Sequence, residues 1–142
     1  MDISSVSKYW GSERTYHHTA PINMNYCLYE GLRIIIEEGL ENRWKRHREN
    51  AEFFWKGLRD LGLDCHVEEK YRLPTLTTVK VPEGVDSKAV AATIREKYNI
   101  EIAAGLGELN GKVWRIGLMG FNSRKENVVL LLAALKDVLS HH

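Results

Sequence analysis

Lys112-Val113-Trp114-Arg115-Ile116-Gly117-Leu118-Met119 is the stretch on which the fold turns. Successive side chains of a strand point to opposite faces, so Trp114, Ile116 and Leu118 share one apolar face. Arg115 falls on the other face, between Val113 and Gly117. Thr75 to Val81 alternates in the same way, is rich in β-branched residues, and is closed by Pro82-Glu83-Gly84. Two weaker strands are expected at Leu63 to Tyr71 and at Ile100 to Ala103, the latter leading into Gly105-Leu106-Gly107.

Outward from these strands the apolar period lengthens to three and four residues, the signature of helices. Ile22, Tyr26, Tyr29, Leu32 and Ile36 form one stripe, with Pro21 in or near the first turn and Gly39 as the stop. Leu40, Trp44, Ala51, Phe54, Trp55, Leu58 and Leu61 form a second stripe that ends at Gly62. Asp86 or Ser87 is placed to cap a third helix carrying Val90, Ile94 and Tyr98, with Asn99 after it. Ser123-Arg124-Lys125-Glu126 has the spacing of a capping box ahead of Val128, Leu131, Leu132, Leu135 and Val138. Residues 1–20 read as irregular. Long helices followed by β-β-α-β-β-α predict an α+β fold: a small, mainly antiparallel sheet with helices packed on one face and the other face partly open.

Composition narrows the function classes. The chain has 142 residues, 44% hydrophobic and 27% charged, an ordinary globular balance for one domain. Lys and Arg number 20 against 19 Asp and Glu, so the basic excess of an unselective nucleic-acid binder is missing. No apolar run approaches the ~20 residues of a membrane span, and residues 1–20 hold no apolar signal-peptide core. Two cysteines, Cys27 and Cys65, make no disulfide framework; they read as buried free thiols of a protein in a reducing, intracellular compartment, the organelle left open.

Several motifs fail on inspection. Gly105 to Lys112 invites a phosphate-loop reading, but Leu106 and Val113 stand where that pattern needs Gly and Ser or Thr. His17-His18 and Cys65-His66 lack the spacing of metal ligands, so no metal site is expected. The basic run from Arg43 to Arg48 is interspersed with acids and reads as a solvated helix face. Trp10, Trp44, Trp55 and Trp114 are dispersed, as core or interface anchors are. Two candidates survive. Arg115, in mid-strand beside a glycine, suits bidentate carboxylate binding, against the plainer alternative of an ion pair to an acid on the sheet. The hydroxyls of Tyr16 and Thr19, just ahead of Pro21 and a helix N-terminus, suit a phosphate, against the plainer alternative of a helix cap.

Tyr16-His17-His18-Thr19-Ala20-Pro21, Glu38-Gly39-Leu40-Glu41-Asn42-Arg43-Trp44 and His47-Arg48 resemble the alanine–glyoxylate (serine–pyruvate) aminotransferases. So do Arg72-Leu73-Pro74-Thr75, Ile100-Glu101-Ile102 with Gly105-Leu106-Gly107, and Trp114-Arg115-Ile116-Gly117-Leu118-Met119-Gly120. These are class V enzymes of the fold type I group that use pyridoxal 5'-phosphate. The resemblance runs in order along essentially the whole chain and implies the C-terminal portion of such an enzyme. It implies residues 1–39 as linker segment and interdomain helix, and 40–142 as the C-terminal small domain. It gives Arg115 the substrate α-carboxylate, and Tyr16 and Thr19 the cofactor phosphate, reached across the interface of a homodimer. The large domain, with the lysine that holds the cofactor covalently, has no counterpart here, so the chain alone is expected to be catalytically incompetent. Amino acid and 2-oxo acid are the implied substrates, with no nucleic acid and no membrane as partner. The alternative from another class is a free-standing, non-catalytic interaction module derived from that domain.

Overall fold

The computed structural model describes residues 2–140, which form two compact units, one ending at Gly39 and one beginning at Leu40.

The first unit opens with a helix, α1 (Ile3–Trp10), where the sequence read as irregular. A cap starts it, the Asp2 carboxylate accepting the Ser4 N–H at 2.9 Å and the Ser5 hydroxyl at 2.8 Å, and Ile3, Val6 and Trp10 fall at helical spacing. The second helix, α2 (Ile22–Glu38), has Pro21 at its N-cap position and ends at Gly39, whose φ of 79° only glycine adopts readily. No residue of α2 is buried; Met24, Tyr26, Tyr29 and Ile36 are all exposed. Arg33 holds itself between Glu30 and Glu37 on this helix. Cys27 lies here too and is exposed, not buried as its residue type suggested.

The second unit begins with α3 (Leu40–Asp60), whose stripe is buried only from His47 onward: Ala51, Phe54, Trp55 and Leu58 enter the core, while Leu40 and Trp44 stay exposed. Strand β1 (Leu76–Lys80) follows, then α4 (Ser87–Tyr98), β2 (Ala103–Ala104), β3 (Val113–Gly117) and α5 (Lys125–Leu139). The sheet is antiparallel throughout, with β3 in the centre, in the order β1-β3-β2. Thr77 lies opposite Ile116 and Val79 opposite Trp114; these four side chains are buried beneath the helices. Trp114 is fully buried and its indole N–H donates to the Ser87 carbonyl at 3.0 Å, tying the central strand to the start of α4. Val90 and Ile94 of α4, and Val128, Leu131, Leu135 and Val138 of α5, complete the core. Val113, although on the opposite face of its strand, is buried as well.

Three local expectations need correction. Leu63 to Tyr71 forms no strand: a single bridge joins Cys65 to Val79, after which Glu69–Tyr71 turn as a short 3₁₀ helix. The run Glu68-Glu69-Lys70 has no apolar alternation to hold it on the sheet. The strand at Ile100 to Ala103 shrinks to Ala103–Ala104. The capping box at Ser123 does not form either. Arg124 occupies the N-cap position without a side-chain cap, while Ser123 is fully buried against α3, its hydroxyl accepting from Asn50 at 3.3 Å. Asp86 does cap α4, accepting the N–H groups of Lys88 and Ala89, and Asn99 closes that helix in the left-handed conformation.

Candidate functional site

Arg115 stands at the middle of the central strand, opposite Thr78 on one side and Ala103 on the other. Its Nε donates to the Ala104 carbonyl at 2.8 Å, which pins the guanidinium along the open face of the sheet. Among the described residues no carboxylate pairs with it, so the plainer alternative, a structural ion pair, is not what the fold builds. The fork's other N–H donors make no hydrogen bond among the described residues, and chemically such a fork can grip a carboxylate through two parallel bonds. Gly117 lies two residues along the same face and is exposed. The Met119 methyl sits 3.1 Å from where a side chain at position 117 would begin.

Tyr16 and Thr19 lie in the first unit. The two hydroxyls meet at 2.5 Å, in front of Pro21. Neither caps α2: its N-cap residue is Pro21, and no side chain bonds to the helix start. The plainer reading of these hydroxyls therefore fails, and two adjacent O–H groups remain exposed beside an uncapped helix N-terminus. Around them Tyr9 stacks on His18 at 5.7 Å and meets Tyr16 edge-on at 6.1 Å, while His17 and His18 share a hydrogen bond of 2.9 Å.

Three side chains to which the sequence assigned no role meet here. On α3, Arg46, His47 and Asn50 converge on the turn Gly120–Asn122 that follows β3 and on Ser123 beyond it. His47 is buried; its Nδ1 donates to the Arg43 carbonyl at 2.7 Å and its Nε2 accepts the Gly120 N–H at 3.0 Å. Arg46 donates to the carbonyls of Gly120 (3.0 Å) and Ser123 (2.5 Å), and Asn50 to the Ser123 carbonyl at 2.9 Å. Half-buried Arg46 is thus an anchor inside what read as a solvated basic face, although Lys45 and Arg48 are exposed as expected. The spacing 46, 47, 50 was the available signal, since those positions share one helix face. No cluster of metal-ligating side chains occurs among the described residues, and none of their helices is long and apolar enough to cross a membrane.

Helices cover one face of a small open antiparallel sheet, and Arg115, with no acidic partner among the described residues, lies on the other. The structural neighbours of this chain are fold type I aminotransferases, and it covers only part of them. Within that class the chain is a homologue of the alanine–glyoxylate and ureidoglycine–glyoxylate aminotransferases, matching their C-terminal part. An alanine–glyoxylate aminotransferase of Nostoc sp. superimposes with a TM-score of 0.88 and 62% identity, over 97% of this chain and 37% of that one. The ureidoglycine–glyoxylate aminotransferase of Bacillus subtilis is 41% identical and superimposes with a TM-score of 0.90, over 99% of this chain and 36% of its own. The alanine–glyoxylate aminotransferase of Rattus norvegicus is 46% identical over 144 residues, 99% of this chain and 35% of the relative. The chain therefore spans about a third of the length of these relatives. No protein-family model matches it.

Proposed function

We propose that this chain is the carboxylate-binding and phosphate-binding part of a pyridoxal phosphate aminotransferase, one that moves an amino group from alanine or serine to a 2-oxo acid such as glyoxylate or pyruvate. The observation that carries the reading is Arg115: a guanidinium fixed through Nε to Ala104, without an acidic partner among the described residues, beside an exposed glycine. Both substrates of a transamination carry an α-carboxylate, so one such arginine serves both half-reactions. Its task is orientation: two parallel N–H···O bonds hold the substrate's Cα in one attitude.

In this reading residues 1–39 are linker and interdomain helix and 40–142 the small domain. Tyr16 and Thr19 take the phosphate of the cofactor; the chemistry fits, because two adjacent exposed hydroxyls can each donate to a phosphate oxygen once the bond between them is exchanged for the ligand. When bound, pyridoxal phosphate supplies the electron sink that stabilises negative charge at the amino acid's Cα. The lysine that carries the proton belongs to the two thirds of the relatives that this chain does not match. The exposed apolar residues of α2 favour burial against a second copy of the protein, hence a homodimer.

The test is a chimera. Residues 1–142 replace the matching third of the Nostoc enzyme, and turnover of alanine with glyoxylate is measured beside the isolated chain. The expected result is an active chimera and an inactive isolated chain. An inactive, folded and cofactor-loaded chimera, or an active isolated chain, defeats the reading.

A further inference from the structure

The ladder between β2 and β3 stops one rung early, and a cleft opens where it stops. The alternation of bonds locates the missing rung. Leu118 N–H donates to the Thr75 carbonyl and Val81 N–H to the Lys112 carbonyl, so even-numbered residues of the central strand bond towards β1. Odd-numbered residues bond the other way, as the Gly105 N–H to Val113 carbonyl bond of 3.0 Å and the pairing of Ala103 with Arg115 show. The same register sets Glu101 opposite Gly117. Pairing nevertheless ends at Ala103, and no backbone bond joins Glu101 to Gly117.

Residues 100–102 splay away from 116–118, and a cavity of about 440 Å³ lies between and beneath them. Its walls are mostly apolar, with Ile100, Ile102, Ile116, Leu118, Leu130 and Leu131 chief among them. The polar lining residues are Tyr98, Asn99, Glu101, Asn122 and Asn127, beside the free rung itself; no lysine or arginine lines it. Asn127 is engaged, donating to the Asn122 carbonyl at 3.0 Å. A volume in the range of small-molecule pockets, apolar walls and a few fixed polar groups together describe a ligand site.

We infer that this cleft binds a small uncharged molecule with an apolar body and a primary amide edge, whose N–H cis to its C=O lets one group complete the rung at Gly117. The amide is selected because Gly117 offers one N–H and one C=O side by side, and only a group with both a donor and an acceptor answers both. A ligand that lacks either loses the hydrogen bonds that solvent otherwise makes to these groups. A carboxylate offers acceptors and no donor, so it answers the Gly117 N–H but leaves the Gly117 carbonyl without a partner. The site thus takes a different chemistry from Arg115 and does not depend on the role proposed for that residue.

The test is a titration of the ¹⁵N-labelled 142-residue chain with phenylacetamide, phenylacetate and N,N-dimethyl-phenylacetamide, followed by backbone amide shifts. Phenylacetamide is expected to saturate, with the largest shifts at Glu101, Ile102, Gly117 and Leu131. The anion and the dimethylated amide should bind at least tenfold more weakly. Leu130→Trp, on the exposed rim, should abolish saturation while the rest of the spectrum is preserved. No saturable shift, equal binding of the three compounds, or shifts centred elsewhere overturns the proposal. The comparison on the unaltered chain decides this whether or not the variant folds.

Discussion

The Nε2 of His47 accepts the backbone N–H of Gly120 across 73 residues of sequence, at 3.0 Å. With Nδ1 donating to the Arg43 carbonyl, the ring bridges its own helix and the turn through both nitrogens. The bond fixes the turn at which the chain leaves the strand that carries Arg115. Gly120 itself sits at φ 54°, where a larger residue would be strained.

His47→Ala strips the partner from the half-buried Gly120 amide and leaves a hole. A loss of about 1–3 kcal/mol is expected, the cost of an unsatisfied amide with some lost packing. Urea unfolding of the 142-residue chain measures it, and amide exchange at Gly120 should quicken beyond the exchange of the β1–β3 ladder. Unchanged exchange at Gly120 would show the bond to be idle.

In the Nostoc chimera, Arg115→Ala should raise KM for alanine and for glyoxylate alike, by roughly tenfold to a hundredfold, as expected for a lost charge-assisted contact worth about 1.5–3 kcal/mol. Arg115→Lys should recover only part of this, because an ammonium does not match both carboxylate oxygens. Steady-state kinetics on folded protein decide; a wild-type KM in the alanine variant takes Arg115 out of the site.

Tyr16→Phe combined with Thr19→Ala removes both hydroxyls of the 2.5 Å pair. At about 0.5–1.5 kcal/mol for each neutral hydrogen bond, the double variant of the chimera should release pyridoxal phosphate on dialysis roughly tenfold more readily. Retention equal to the parent's would mean that the two hydroxyls serve only each other.

The cysteines should differ in reactivity. Burial pushes the Cys65 thiol up, outweighing the nearby Arg72 and Arg59 charges that pull it down, whereas Cys27 is exposed. The thiolate is the reactive form, so at pH 8 iodoacetamide should label Cys27 on the order of tenfold faster than Cys65. The sign for stability follows. A raised folded pKa favours the fold fully below the unfolded thiol's value of about 8.5, and this contribution fades as pH climbs from there through the folded value. Peptide mass mapping across pH 7–10 checks it; labelling of Cys65 first contradicts it.

Two glycines make an opposed pair. A methyl at Gly105 would meet the Leu109 carbonyl oxygen at 2.0 Å, so Gly105→Ala should cost upwards of about 2 kcal/mol. At Gly31, inside α2, a methyl meets nothing within 4 Å, and Gly31→Ala should add about 0.5–1 kcal/mol of helix stability. Thermal melts of the two variants should move in opposite directions.

What the sequence determined by itself was whatever depends on neighbours along the chain. The helix stripes of Ile22–Glu38 and of Phe54 to Leu58, the Asp86 cap, the glycine stops and the alternation around Trp114 are local patterns, and each is present in the structure. Arg115, Tyr16 and Thr19 were singled out on the same ground, as residue types in a local setting. Tertiary structure decided everything that needed a distant partner. Leu63 to Tyr71 had the composition of a strand, yet beyond one bridge to Val79 it does not stay on the sheet. Ser123 had the spacing of a cap, but burial against Asn50 and Arg46 offered its backbone and hydroxyl partners 73 and 77 residues away. His47 was one polar residue in a charged helix until Gly120 came within reach. The cleft at Gly117 exists only because two segments of compatible register separate at Glu101, a choice made by packing and written in neither segment alone.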